Sequence, residues 1–171
     1  MRKIALTLLA LAAPLAAPLP TLAHVVAAPD TARAGSYAAV AFRVGHACSA
    51  GDATLKVRIE IPPGVVSARP QPKPGWTYEI EREPGADPRA APSAVTYVGR
   101  LPDEAFDDFP LLMKLPAAGD TLVFPVIQTC ERGESQWTEV PSAEAPDEKL
   151  SRPAATLRLI PDAAASAGHK H

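Results

Sequence analysis

The sequence is that of an all-β protein, folded as a single sandwich of two sheets. Three observations lead there. Apolar residues recur with a two-residue period in several short stretches. Those stretches are spaced regularly and parted by turns rich in Gly and Pro. Beyond the first 23 residues no apolar run of helical period reaches a useful length, and the 20 prolines of the chain oppose long helices because Pro lacks the backbone donor and clashes with the preceding turn.

Residues 1–23 read as a secretory leader. Arg2 and Lys3 form the positive end, Ile4 to Leu11 the apolar core, and Thr21 and Ala23 the small residues at positions −3 and −1 of a cut. A membrane anchor is the competing reading. Pro14, Pro18 and Pro20 interrupt the run, which falls short of the ~20 apolar residues a span needs. Cleavage after Ala23 leaves His24 as the first residue, although Ala13 to Ala17 offer competing small residues.

Residues 24–160 form the expected domain. Ala38, Val40, Phe42 and Val44 alternate with Tyr37, Ala39, Ala41 and Arg43, and Leu55, Val57, Ile59 and Ile61 alternate with Thr54, Lys56, Arg58 and Glu60. Each pattern buries one strand face and wets the other. Pro62-Pro63-Gly64 stops the second strand. Trp76, Tyr78 and Ile80 share a face after the turn at Lys73-Pro74-Gly75. Val95 and Tyr97 follow a polar, Pro-rich loop, and Phe109, Leu111, Met113 and Leu115 mark another strand. Leu122, Phe124 and Val126 make one more, with Pro125 implying an edge or a bulge. Strands at Gln136 to Val140 and Thr156 to Ile160 close the set. Residues 142–153 read as a loop and 161–171 as a flexible tail, in which His169 and His171 are incidental.

Composition excludes several classes of function. The formal net charge is −2, and removing Arg2 and Lys3 with the leader makes the remainder more acidic. There is no basic patch with interleaved aromatics, so nucleic acid is not expected as a partner. No second apolar run supplies a membrane anchor. The chain is expected to be released into the periplasm or secreted. The cysteines, Cys48 and Cys130, are the only two. In an exported chain a disulfide is the expected state. The rival reading is a pair of thiolates suited to soft Cu(I).

Three places carry candidate chemistry. An N-terminal His24 would offer its free amine and its Nδ1 to one metal ion, a chelate no internal His can form, and nitrogen donors in a tetragonal arrangement favour Cu(II). The plain alternative is a His that begins an edge strand. His46, in Gly45-His46-Ala47-Cys48, would stand on a stiff element if Cys48 is bridged; otherwise it is a loop His bonded to backbone. Trp137 and Glu139 fall on one face of an alternating strand, where Trp137 would shield a metal from water and Glu139 could offer an oxygen ligand; the plainer reading is a core Trp with a solvated Glu nearby, and Glu139 is placed outside the ligand set. The acidic run Asp103, Glu104, Asp107 and Asp108 reads as a solvated loop. No nucleophile elbow, phosphate loop or Cys-x-x-Cys occurs.

The chain resembles the YcnI-like copper-binding domain in His24-Val25-Val26, Ala34-Gly35-Ser36-Tyr37, Phe42-Arg43-Val44-Gly45-His46-Ala47-Cys48 and Ile61-Pro62-Pro63-Gly64-Val65. Further along it does so in Pro72-Lys73-Pro74-Gly75-Trp76, Phe106-Asp107-Asp108-Phe109, Phe124-Pro125-Val126-Ile127-Gln128-Thr129-Cys130 and Trp137-Thr138-Glu139-Val140-Pro141. The resemblance implies an exported sandwich of immunoglobulin or cupredoxin type that binds Cu(II) through a histidine brace at His24 with Trp137 nearby. Some relatives carry a carboxylate near the position of His46; this chain has His-Ala-Cys there, which leaves open whether His46 or an oxygen completes the site. The implied role is that of a copper chaperone or buffer rather than an enzyme, with another exported copper chaperone or a membrane copper transporter as partner. The alternatives are a copper-dependent oxidative enzyme of the monooxygenase type and a metal-free structural or adhesion module. Against the former stand the presumed Trp137 lid and the sparse aromatics: four Phe, two Trp and three Tyr.

Overall fold

Period-two alternation sets the strands of the structure, a computed structural model that describes residues 24–146 and 148–161. The expected leader, and the expected tail beyond residue 161, lie outside the described residues. In chain order the strands are β1 Val26–Ala28, β2 Thr31–Arg33, β3 Tyr37–Val44, β4 Ala53–Glu60, β5 Ser67–Pro70 and β6 Thr77–Glu81. They continue as β7 Ala94–Pro102, β8 Asp107–Lys114, β9 Thr121–Phe124, β10 Val126–Cys130, β11 Gly133–Trp137 and β12 Ala155–Ile160. The described residues contain no helix.

The strands form three sheets, ordered β1-β3-β8-β5, β11-β10-β4-β7-β6 and β2-β12-β9. Neighbours are antiparallel except β2 and β12, which run parallel. Val40, Phe42 and Val44 of β3 and Phe109, Leu111 and Met113 of β8 point into one core with Val57 and Ile59 of β4 and Val95 and Tyr97 of β7. Tyr97 meets Phe109 across the sandwich at 5.3 Å between ring centroids, and Phe42 meets Phe124 of β9 edge-on at 5.1 Å. The Tyr97 hydroxyl donates to the Pro110 carbonyl at 2.6 Å and accepts the Gln71 N–H at 3.1 Å. That lets a phenol sit in an apolar core, where burial pushes its pKa up to about 12.

The structure departs from the sequence reading in three places. The single strand expected around Leu122 to Val126 is two. Pro125 ends β9 in the three-stranded sheet and β10 starts in the five-stranded one, with the Pro125 carbonyl accepting the Glu60 N–H at 3.0 Å. The strand expected at Gln136 to Val140 lies earlier, at Gly133–Trp137. Of Trp76, Tyr78 and Ile80 only Trp76 packs against the core; every residue of β6, an edge strand, is exposed, Tyr78 by 42% and Ile80 by 37%.

One close approach depends on a missing side chain. Trp76 lies over β7 at Gly99, where an added Cβ would stand 2.5 Å from the indole and 2.8 Å from the Gly75 carbonyl oxygen. Trp76 in turn packs edge-on against Phe109 at 4.8 Å. Gly99→Ala should therefore destabilise the sandwich by about 1–3 kcal/mol through overpacking, read as a lowered denaturant midpoint with an unchanged slope.

Candidate metal centre

His24 enters the structure immediately before β1. Val25 and Ala27 turn inward and are buried, which fixes how the chain arrives. The His24 ring is half-buried, and its Nε2 is a buried atom with no hydrogen-bond partner. It borders a hollow of about 340 Å³ lined also by Val123, Glu139, Leu150, Pro153 and Thr156.

His46 stands on the loop between β3 and β4, and that loop is clamped from several sides. The disulfide Cys48–Cys130, with Cα atoms 6.0 Å apart, ties it to the end of β10. No described cysteine is free, so the thiolate reading of Cys48 and Cys130 is overturned. The Asp103 carboxylate accepts the N–H groups of Ala47 at 3.0 Å and Gly51 at 2.9 Å. The Arg132 guanidinium donates to the Gly51 carbonyl at 2.9 Å. Gln128 Nε2 donates to the His46 carbonyl at 2.7 Å. The His46 ring itself lies with Nδ1 against the Ala47 carbonyl. A carbonyl only accepts, so this contact places a proton on Nδ1, and in the neutral ring Nε2 is then the nitrogen with the lone pair.

Trp137 is a neighbour of both histidines. Its ring is buried, with centroids 6.0 Å from His24 and 6.2 Å from His46, and its Nε1–H donates to Gln128 Oε1 at 3.0 Å. Glu139 is placed differently from the sequence reading. β11 ends at Trp137, and the chain then leaves the sheet to make an isolated bridge at Glu139 with Pro153. Trp137 is buried while Glu139 is exposed, so they do not share a face. The Glu139 carboxylate accepts the Arg152 N–H at 2.9 Å.

The acidic run divides. Asp107 pairs with Lys73 at 2.5 Å and Asp108 with Arg43 at 2.8 Å. Asp103, read from sequence as part of a solvated loop, is instead an anchor of the His46 loop. Gln128 was not singled out either. It is a polar residue on a strand face, and only its partners reveal its place. No three His, Cys, Asp or Glu side chains among the described residues are arranged to hold a metal. Two imidazoles around one indole can supply nitrogen donors, and a further nitrogen would have to come from the backbone at His24.

A family model described as a domain of unknown function (DUF1775) matches residues 24–159. A solved structure, described as an uncharacterized protein from Nocardia farcinica with an immunoglobulin-like fold, is 33% identical. It covers 81% of this chain and 99% of that chain, with a TM-score of 0.64. No curated protein is significantly similar.

The anchor at Asp103 has a pH signature. Backbone N–H donation from Gly51, then from Ala47, holds its carboxyl below the usual carboxylate range, with a smaller pull from His46. A group lowered in the folded state stabilises fully above its unfolded pKa of ~3.9 and loses that contribution as pH falls through the folded value. The amide resonances of Ala47 and Gly51 should titrate together below pH ~3.9, and Asp103→Asn should abolish that titration. Amides that do not move, or that move at the ordinary carboxylate pKa, would show that Asp103 does not hold the loop.

Proposed function

The chain belongs to the family described as a domain of unknown function (DUF1775), and from that premise we propose that it is an exported Cu(II)-binding protein that buffers copper or hands it on. The observation that carries this reading is the placement of both His24 and His46 beside the buried indole of Trp137.

The donor set suits copper as cargo. Cleavage after Ala23 would free the His24 amine, which with the His24 ring closes a chelate on the ion. His46 Nε2, left with its lone pair by the Nδ1 contact to the Ala47 carbonyl, supplies a third nitrogen. Three nitrogens favour Cu(II), which heads the divalent affinity order, over Zn(II). The Glu139 carboxylate accepts the Arg152 N–H and stands outside this set in our reading. Trp137 limits the access of water, in keeping with storage and transfer rather than turnover. The partner is a second copper carrier, soluble or membrane-bound. Among the described residues no helix is long and apolar enough to cross a membrane.

The free amine is the decisive element. Mature protein beginning at His24 should bind one Cu(II), and one residue added ahead of His24 should weaken binding roughly 100-fold, about 2.8 kcal/mol, with an unchanged circular dichroism spectrum. Binding that falls as pH drops follows from proton competition for the amine and both imidazoles. Equal affinity in the extended protein would exclude the brace.

A further inference from the structure

The inward row of β10 breaks the pattern of the core at one position. Val126, Gln128 and Cys130 alternate inward, and Gln128 is fully buried, opposite Val57 of β4 and Ser135 of β11. One rung away Val126 faces Ile59, both without exposure. An aliphatic residue at 128 would continue that apolar row. A carboxamide there is tolerated only when its donors and acceptor are all engaged.

They are. Gln128 Oε1 accepts the Trp137 Nε1–H at 3.0 Å, and Nε2 donates to the His46 carbonyl and to Thr54 Oγ1, each at 2.7 Å. The orientation is forced: an indole N–H only donates and a carbonyl only accepts, so the flipped amide would lose both bonds. Thr54 is itself fully buried and gives the second N–H its acceptor. The disulfide, Asp103 and Arg132 hold the loop from Ala47 onward. The hold on His46's own carbonyl is that of Gln128.

The geometry points to Gln128 as the positioning residue of the metal centre. Its one carboxamide ties the Trp137 indole to the His46 backbone and so sets where the His46 imidazole stands relative to His24. Gln128 does not touch copper; it acts through His46 and Trp137. Polar groups that violate the core pattern and are fully satisfied are where functional constraint outweighs packing. This assignment rests on the copper reading above and adds to it the means by which the ligand from the β3–β4 loop is aimed.

The test uses the mature chain, its disulfide intact, with Cu(II) alone as the probe. Gln128→Met keeps the volume and removes both the donor and the acceptor. Gln128→Asn keeps a carboxamide too short to reach Trp137 and His46 at once, and decides the matter if the Met variant does not fold. Thr129→Ala, one residue along β10 and on its other face, is the control. Thermal unfolding checks that each is folded. Either Gln128 variant should bind Cu(II) about 10–100-fold more weakly and lose one nitrogen from the electron paramagnetic resonance hyperfine pattern, with the His24 chelate kept. Thr129→Ala should match the wild type. A folded Gln128 variant with the wild-type spectrum and affinity would overturn the assignment while leaving the copper reading intact. A wild-type protein that binds no Cu(II) would overturn the copper reading, and the positioning role with it.

Discussion

The Cys48–Cys130 bridge covalently joins the β3–β4 loop to the end of β10, across a sequence separation of 82 residues. In the chain-entropy view a closed loop of that length is worth about 4–5 kcal/mol, a large share of the stability of a domain this size. Its placement matters more than its magnitude. The bridge lands on β10, the strand that also carries Gln128, so one link brings His46 within reach of a buried hydrogen-bond hub and of Trp137. Asp103 and Arg132 then close the same loop from the other side.

How much of this was legible in the sequence depended on the length and burial of each element. β3 and β8 have eight residues each, with alternating buried positions, and their period is visible without any partner. β1, β2 and β5 have three or four residues, too few to show a period. β10 is hard to see because two of its three inward residues are Gln128 and Cys130 rather than aliphatic side chains. β6 alternates convincingly in sequence but has no sheet over it, so Tyr78 and Ile80 stay wet. The site divides in the same way. His24, His46 and Trp137 can be named from residue type and local context. Gln128 and Asp103 work through contacts with partners 82 and 56 residues away, which no local pattern contains.

Four separated segments meet at the centre: the chain before β1, the β3–β4 loop, the inward row of β10, and the end of β11. The three-stranded sheet holds the first of them. β12 starts beside His24, with Thr156 and Ala154 against the same hollow. Farther along β12, Arg158 donates its N–H to Asp30 just past β1, at 2.8 Å. The stretch after β11 is drawn to this side by the Ala154 N–H donating to the Glu139 carbonyl at 2.9 Å.

The exposed strand β6 has a consequence for behaviour at high concentration. An outermost strand presents one row of unpaired backbone donors and acceptors, a template on which a second chain can add. Tyr78 and Ile80 would make such addition adhesive. Between and after them stand Glu79 and Glu81, and Glu81 is held in place by the Arg58 guanidinium at 2.9 Å, which keeps its carboxyl below the usual range and charged. The same alternation that makes β6 look like a core strand thus interleaves its apolar side chains with charged ones, Glu79 and the Glu81–Arg58 pair, and charged side chains on an edge discourage strand addition.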